Sequence, residues 1–237
     1  MERFYRKQIR TYGKFSFEVK IEQSDLFVVC DKNLCEQAHD ALREVRNDIE
    51  NYITRDNLFA KTLEPHHVPN DVPAIIKEMS SASEKYNVGP MASVAGAVSQ
   101  YLGRKLDPLC NYIVIENGGD IYFKSDRPIT LGIWAGERSP FSGRLKFKLD
   151  SPGKSLGICT SSGTVGHSLS FGKADAVVAV ADCASLADAA ATSIANTVKS
   201  SNDIEPALER EKERGLLEGL IIVIGDRVGV QGNLELV

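Results

Sequence analysis

Apolar and polar positions alternate along residues 14–22, KFSFEVKIE, with Phe15, Phe17, Val19 and Ile21 on one side and Lys14, Ser16, Glu18, Lys20 and Glu22 on the other. A period of two predicts a half-buried strand. Gln23, Ser24 and Asp25 then turn the chain into LFVVC, its predicted hairpin partner. Beyond it the period changes: Leu34, Ala38, Ala41, Val45, Ile49 and Tyr52 recur at steps of three and four, an amphipathic helix of about five turns. Residues 54–72 show no period and carry Pro65, Pro69, His66 and His67, so a loop is expected there.

A second helix is predicted over 72–86, broken by Asn87, Val88, Gly89 and Pro90; Pro90 suits the first position of a third, PMASVAGAVSQYL. Its Ala, Gly and Ser residues lie on all sides, which lets it approach another backbone closely. Strands follow at 112–116, 121–125, 129–135, 144–150 and 155–161, separated by short turns, then a strand at 174–181 and a small-residue helix at 185–198. IEPALEREKER reads as a charged helix with a solvated face, stopped by Gly215, and GLIIVIG with RVGVQG closes the chain as a hairpin around Gly225 and Asp226. Strands in consecutive runs joined by short turns pair antiparallel. The expected class is therefore α+β, an antiparallel sheet with packed helices, over residues 1–237 as one domain, and not an alternating βαβ fold.

Composition narrows the function classes. With 43% hydrophobic and 25% charged residues in 237, disorder, collagen and coiled coil are excluded. Lys and Arg number 28 against 32 Asp and Glu, so no basic field exists for a phosphate backbone and nucleic acid is not an expected partner. No apolar run approaches the ~20 residues that span a bilayer, so no membrane partner is expected. The first residues mix charge into every window, and a cytoplasmic location is expected. Five cysteines, an odd number, fit reduced thiols. Cys30, Cys35 and His39 are spaced to converge as metal ligands, but no second Cys/His pair accompanies them, so packing is the preferred reading.

Three stretches carry candidate chemistry. In Glu116, Asn117, Gly118, Gly119 and Asp120 the simple reading is a hairpin turn; the functional one is that bare amides of Gly118 and Gly119 approach a ligand while Asp120 accepts from its hydroxyls or amines. In Thr160, Ser161, Ser162, Gly163 and Thr164, hydroxyls and amides form an anion cradle with His167 nearby as a base titrating near neutrality; the alternative is a polar turn. A hydrolase triad of Ser162, His167 and Asp175 or Asp182 lacks the G-x-S-x-G elbow. In the third stretch Asp188 and Thr192 stand at i and i+4 on one face of an alanine-rich helix, two oxygen ligands suited to Mg²⁺. The alternative leaves Asp188 exposed and Thr192 bonded to its own backbone.

The succession NVGPMASVAGA, ENGGD, TSSGTVGH and SLADAAATS, in this order, resembles the ApbE family of flavin transferases, and more narrowly its short prokaryotic ApbE-like members. The likeness spans residues 37–198, with GGD and ADAAAT its most specific parts. It implies a T-fold, binding of FAD and Mg²⁺, and transfer of FMN to a hydroxyl of a protein acceptor with release of AMP, or hydrolysis of FAD. By the same resemblance Asp188, Thr192 and the carbonyl of Ala92 hold the metal. Gly118, Gly119, Asp120, Ser161, Ser162 and Gly163 bind the nucleotide, and His167 moves the proton. Two departures weigh against transfer: Ser93 stands where the family has a lysine, and His167 is not followed by the family's Asp-Pro turn. Lys173 could restore the cation from another position. The rival reading is a non-catalytic ligand-binding or scaffold protein that keeps the fold.

Overall fold

The computed structural model describes residues 5–6, 9, 11–137, 139–150, 152–163 and 171–237. β1 (Phe15–Ile21) and β2 (Ser24–Cys30) form the first hairpin, followed by α1 (Cys35–Arg55), α2 (Asn57–Lys61), α3 (Ala74–Tyr86) and α4 (Val94–Leu106). The strands β3 (Ile113–Asn117), β4 (Asp120–Lys124), β5 (Ile129–Gly132), β6 (Lys146–Leu149), β7 (Ser155–Ser161) and β8 (Ala176–Ala181) come next. Then follow α5 (Ala184–Thr197), α6 (Ile204–Arg214), β9 (Gly219–Ile224), β10 (Arg227–Gly232) and β11 (Glu235–Leu236). Eight strands make one sheet in the order β1-β2-β3-β4-β7-β8-β9-β10, every neighbouring pair antiparallel, as the short turns require. β11, β6 and β5 form a second, three-stranded sheet.

The two faces of the large sheet bury different partners. Leu26, Val28, Ile113 and Ile115 meet α1, α3 and α4, while Val177, Ala179, Leu220 and Ile222 meet α5 and α6. Val178, Val180, Ile221 and Val223 point the other way, onto Phe147 and Leu149 of the small sheet. All six residues of β8 are therefore buried, which is why its sequence is apolar without alternation. Each such fully buried Val or Ile contributes about 1.5–3 kcal/mol relative to exposure.

α4 and α5 cross at contact distance because glycine permits it. A Cβ on Gly96 would stand 2.2 Å from the carbonyl oxygen of Ala184, and one on Gly157 of β7 would stand 2.2 Å from the Ala184 Cα. The obstacle at Gly96 is backbone, which does not yield like a side-chain tip, so Gly96→Ala is expected to cost at least the ~1–3 kcal/mol of ordinary overpacking. A urea midpoint equal to wild type would show that α4 and α5 separate freely.

Three expectations need correction, and one strand was not foreseen. Within the expected loop 54–72 a short helix, α2, forms around Phe59, which is fully buried and meets the Tyr52 ring edge-on at 5.0 Å between centroids. One apolar anchor in a single turn makes no detectable period. His66 there bonds Asp56 at 2.6 Å and draws the Asp56 carboxyl below its usual range. The third helix opens as a 3-10 turn, Pro90–Ser93. The strand expected over 129–135 ends at Gly132, after which the Ile133 amide bonds the Leu145 carbonyl outside the ladder. β11 escaped notice because two residues carry no pattern.

Candidate functional site

The β3–β4 turn is built for glycine: Gly118 and Gly119 take φ of 73° and 109°, where a side chain would be strained. Asn117 Nδ2 donates to the Ala95 carbonyl at 3.1 Å, tying the turn to the first turn of α4. The Gly119 amide donates to Glu116 Oε1 at 3.0 Å, so it is not the bare donor expected from the sequence. Pairing of Ile121 with Ile158 extends one step to bring Asp120 beside Cys159, and a further step brings Gly119 beside Thr160. A Cβ on Gly119 would find nothing closer than Thr160 Cβ at 3.9 Å, leaving room over the turn.

The hydroxyl-rich stretch leaves β7 next to that turn. Ser161 is half-buried at the strand end. Ser162 Oγ and the Gly163 amide both donate to the Ala174 carbonyl, at 3.4 and 2.8 Å, closing the backbone against residues 172–174. His167 lies outside the described residues. Of its imagined triad partners, Asp175 accepts from the Gly225 amide at 2.7 Å, and Asp182 borders a 350 Å³ cavity with Lys85, Leu186 and Glu218. That cavity is not at the turn.

Asp188 is buried, not exposed. Its Oδ2 accepts from the Gly96 amide at 2.8 Å, and the Ala95 amide also points to it, so a carboxylate on α5 caps the start of α4 from outside that helix. The favour is returned: Gln100 Oε1 on α4 accepts from the Ala184 amide at 2.6 Å, the first amide of α5. Thr192 Oγ1 does not bond its own helix but donates to the Ala92 carbonyl at 3.4 Å. Asp188 and Thr192 of α5 thus meet Ala92 and Gly96, nearly a hundred residues earlier in the chain, where the Pro90–Ser93 turn runs into α4.

Burial dominates the electrostatics of Asp188. Burial, and then the neighbouring charge of Asp120, push the Asp188 carboxyl well above its usual range against the pull of the Gly96 and Ala95 amides. The Cys159 thiol, which donates to the Ala184 carbonyl at 3.2 Å, is pushed up as well, by burial and then by Asp120 and Asp188. Asp120 and Asp188 are both buried here. Among the described residues no group of three His, Cys, Asp or Glu side chains is arranged to hold a metal. The oxygens of Asp120, Asp188, Thr192 and Ala92 are of the hard kind that could hold Mg²⁺ together with water and phosphate.

A family model described as AbpE bacteria matches residues 6–224. The chain belongs to this ApbE-like family. Over 226 residues the ApbE-like chain is 37% identical to a UPF0280 protein of Methanopyrus kandleri, covering 92% of this chain and 91% of that one. Over 194 residues it is 46% identical to a UPF0280 protein of Methanothermobacter thermautotrophicus, covering 80% and 75%. Its fold is similar to that of the apo flavinyl transferase ApbE of Pseudomonas stutzeri, with a TM-score of 0.58 at 11% identity, covering 92% and 93% of the two chains. An ApbE protein from Thermotoga maritima gives 0.51 at 12% identity, covering 91% and 96%. At such identities the likeness is one of fold, and it agrees with the α+β antiparallel architecture. No helix of the described residues is long and apolar enough to cross a membrane.

Several details of the ApbE-like chain were hidden from sequence reasoning. Ser93 is fully buried and donates to the Pro90 carbonyl at 2.8 Å, so its side chain is turned into the fold; Lys173 is exposed. Cys30 is buried and donates to the Lys32 carbonyl, Cys35 is exposed, and His39 faces Arg43 at 3.1 Å, which leaves the cysteine pair to packing and the surface. Glu116, Gln100 and Cys159 went unassigned as site residues. Cys159 is brought beside Asp120 only by the register of β4 with β7.

Proposed function

We propose that the chain binds FAD or a related dinucleotide with Mg²⁺ in a single domain, and that its site is arranged to cleave the dinucleotide's diphosphate. The attacking oxygen, from a hydroxyl of a protein acceptor or from water, forms a bond to the phosphorus of the FMN half. The bridging P–O bond breaks, and AMP leaves with the bridging oxygen. The observation that carries this reading is the buried pair Asp120 and Asp188 beside the Ala92 carbonyl and Thr192 hydroxyl, next to a glycine turn with room above it. The fold shared with a flavinyl transferase supports the choice of a flavin nucleotide.

When bound, Mg²⁺ would supply charge neutralisation for the diphosphate and its leaving phosphate. Asp188 and Asp120 would supply the negative charge to hold it, with Thr192 and Ala92 as neutral oxygen donors. The Gly118 and Gly119 turn lets the ligand approach backbone, Ser161, Ser162 and Gly163 border it, and His167 takes the proton of the attacking hydroxyl. The scaffold reading keeps one observation in its favour: the buried Ser93 offers no cation where the family pattern has one.

Incubation of the protein with FAD and Mg²⁺, followed by chromatography for FMN and AMP, decides between the two. Both products at a rate proportional to protein support cleavage; tight binding without either supports the scaffold. In the same assay Thr192→Val is expected to weaken Mg²⁺ dependence less than loss of Asp188 does, because a neutral hydroxyl contributes less to a divalent ion than a carboxylate. Equal losses would remove Thr192 from the donor set.

A further inference from the structure

Pairing aligns Glu18 of β1 with Phe27 of β2, and Phe27 with Glu116 of β3, so the three side chains form one row across the sheet. Arg6 lies over that row. Its Nε donates to Glu116 Oε2 at 2.7 Å, its Nη1 to Glu18 at 3.1 Å and Asp25 at 2.6 Å, and its Nη2 to the Asp25 carbonyl at 2.8 Å. The guanidinium carbon sits 5.7 Å from the centre of the Phe27 ring. Tyr5 adds its hydroxyl to Glu116 Oε1 at 2.7 Å, the same oxygen that accepts the Gly119 amide. The Arg6 and Glu116 side chains are only 6% and 5% exposed.

We infer that Arg6 is a positioning residue for the Gly118, Gly119 and Asp120 turn, acting through Glu116. Removing one partner of a buried ion pair is strongly destabilising, so loss of Arg6 should loosen the hold on Glu116. The planar fork bonds Glu116 and Asp25 at once, which an ammonium point charge does not reproduce. Glu116, so fixed, holds the Gly119 amide and with it the left-handed turn that carries Asp120 to Asp188. The first link concerns the fold alone; its effect on ligand affinity rests on the functional reading above.

The test is amide exchange of the full chain by NMR without ligand, comparing wild type, Arg6→Ala, Arg6→Lys and Tyr5→Phe. Exchange at Gly119 is expected to rise about tenfold or more in Arg6→Ala, less in Arg6→Lys and least in Tyr5→Phe, while Leu102 in α4 and Val178 in β8 stay protected. Wild-type protection at Gly119, or a uniform rise at all three positions, overturns the inference, the second because it makes Arg6 a general stabiliser. Should Arg6→Ala not fold, the same comparison is made on Arg6→Lys and Tyr5→Phe. FAD titration with Mg²⁺ then gives the second readout: weaker affinity in variants whose Gly119 exchanges faster. Unchanged affinity alongside faster exchange leaves the positioning role standing and sinks the nucleotide assignment of the turn.

Discussion

Asp188→Asn is expected to abolish Mg²⁺-dependent nucleotide binding and, in the same protein, to raise thermal stability of the metal-free form near neutral pH. The two effects share one cause. Burial and the neighbouring Asp120 raise the Asp188 pKa in the folded state above the ~3.9 of an unfolded aspartate, so the folded chain holds this proton to higher pH than the unfolded chain does. Stability from this group is complete below the unfolded value and declines as pH climbs through the window up to the raised one. Asparagine does not titrate, and its side-chain oxygen still accepts from the Gly96 amide, so the cap on α4 survives. Melting temperatures in chelator from about pH 4 to 8 should fall more steeply for wild type than for the variant. Parallel curves would remove the strained carboxylate from the account, and an unchanged Mg²⁺ titration would remove Asp188 from the metal. Asp188→Ala is the less informative change, since loss of an N-terminal cap alone costs about 0.5–2 kcal/mol.

His167→Ala is expected to keep affinity for the dinucleotide while turnover falls about 10²–10⁴-fold, the usual contribution of a group that moves a proton in the transition state. A wild-type rate would leave the histidine without a chemical role. A matching loss of affinity and rate would move it to ligand binding. Absence of turnover in wild type would favour the scaffold reading, consistent with the buried Ser93.

Period and turn chemistry were enough to place the longer elements. The step of three and four from Leu34 to Tyr52 corresponds to α1, and the alternation of Phe147 and Leu149 with lysines corresponds to β6. What stayed hidden was shorter than one period or depended on partners distant in sequence. α2 rests on Phe59 alone. Asp188 looks like a solvated acid among alanines until α4 is laid across it, and Thr192 looks self-bonded until Ala92 arrives. Arg6 sits in a charged stretch that gives no hint of burial, because its three acidic partners come from β1, β2 and β3. The motif residues of the candidate site could be found in the sequence; the groups that hold them in place could not.

The exchange of caps between α4 and α5 makes these helices thermodynamically inseparable. Neither can satisfy its first amides without the other: Gly96 needs Asp188 and Ala184 needs Gln100. Fraying one start therefore strips the other, so the pair should open as one cooperative unit with a common opening free energy in native-state exchange, instead of unravelling helix by helix from the ends. Any cation that draws on Asp188 competes with α4 for the same carboxylate, and its binding would be read at the far end of α5 as a change in how often the pair comes apart.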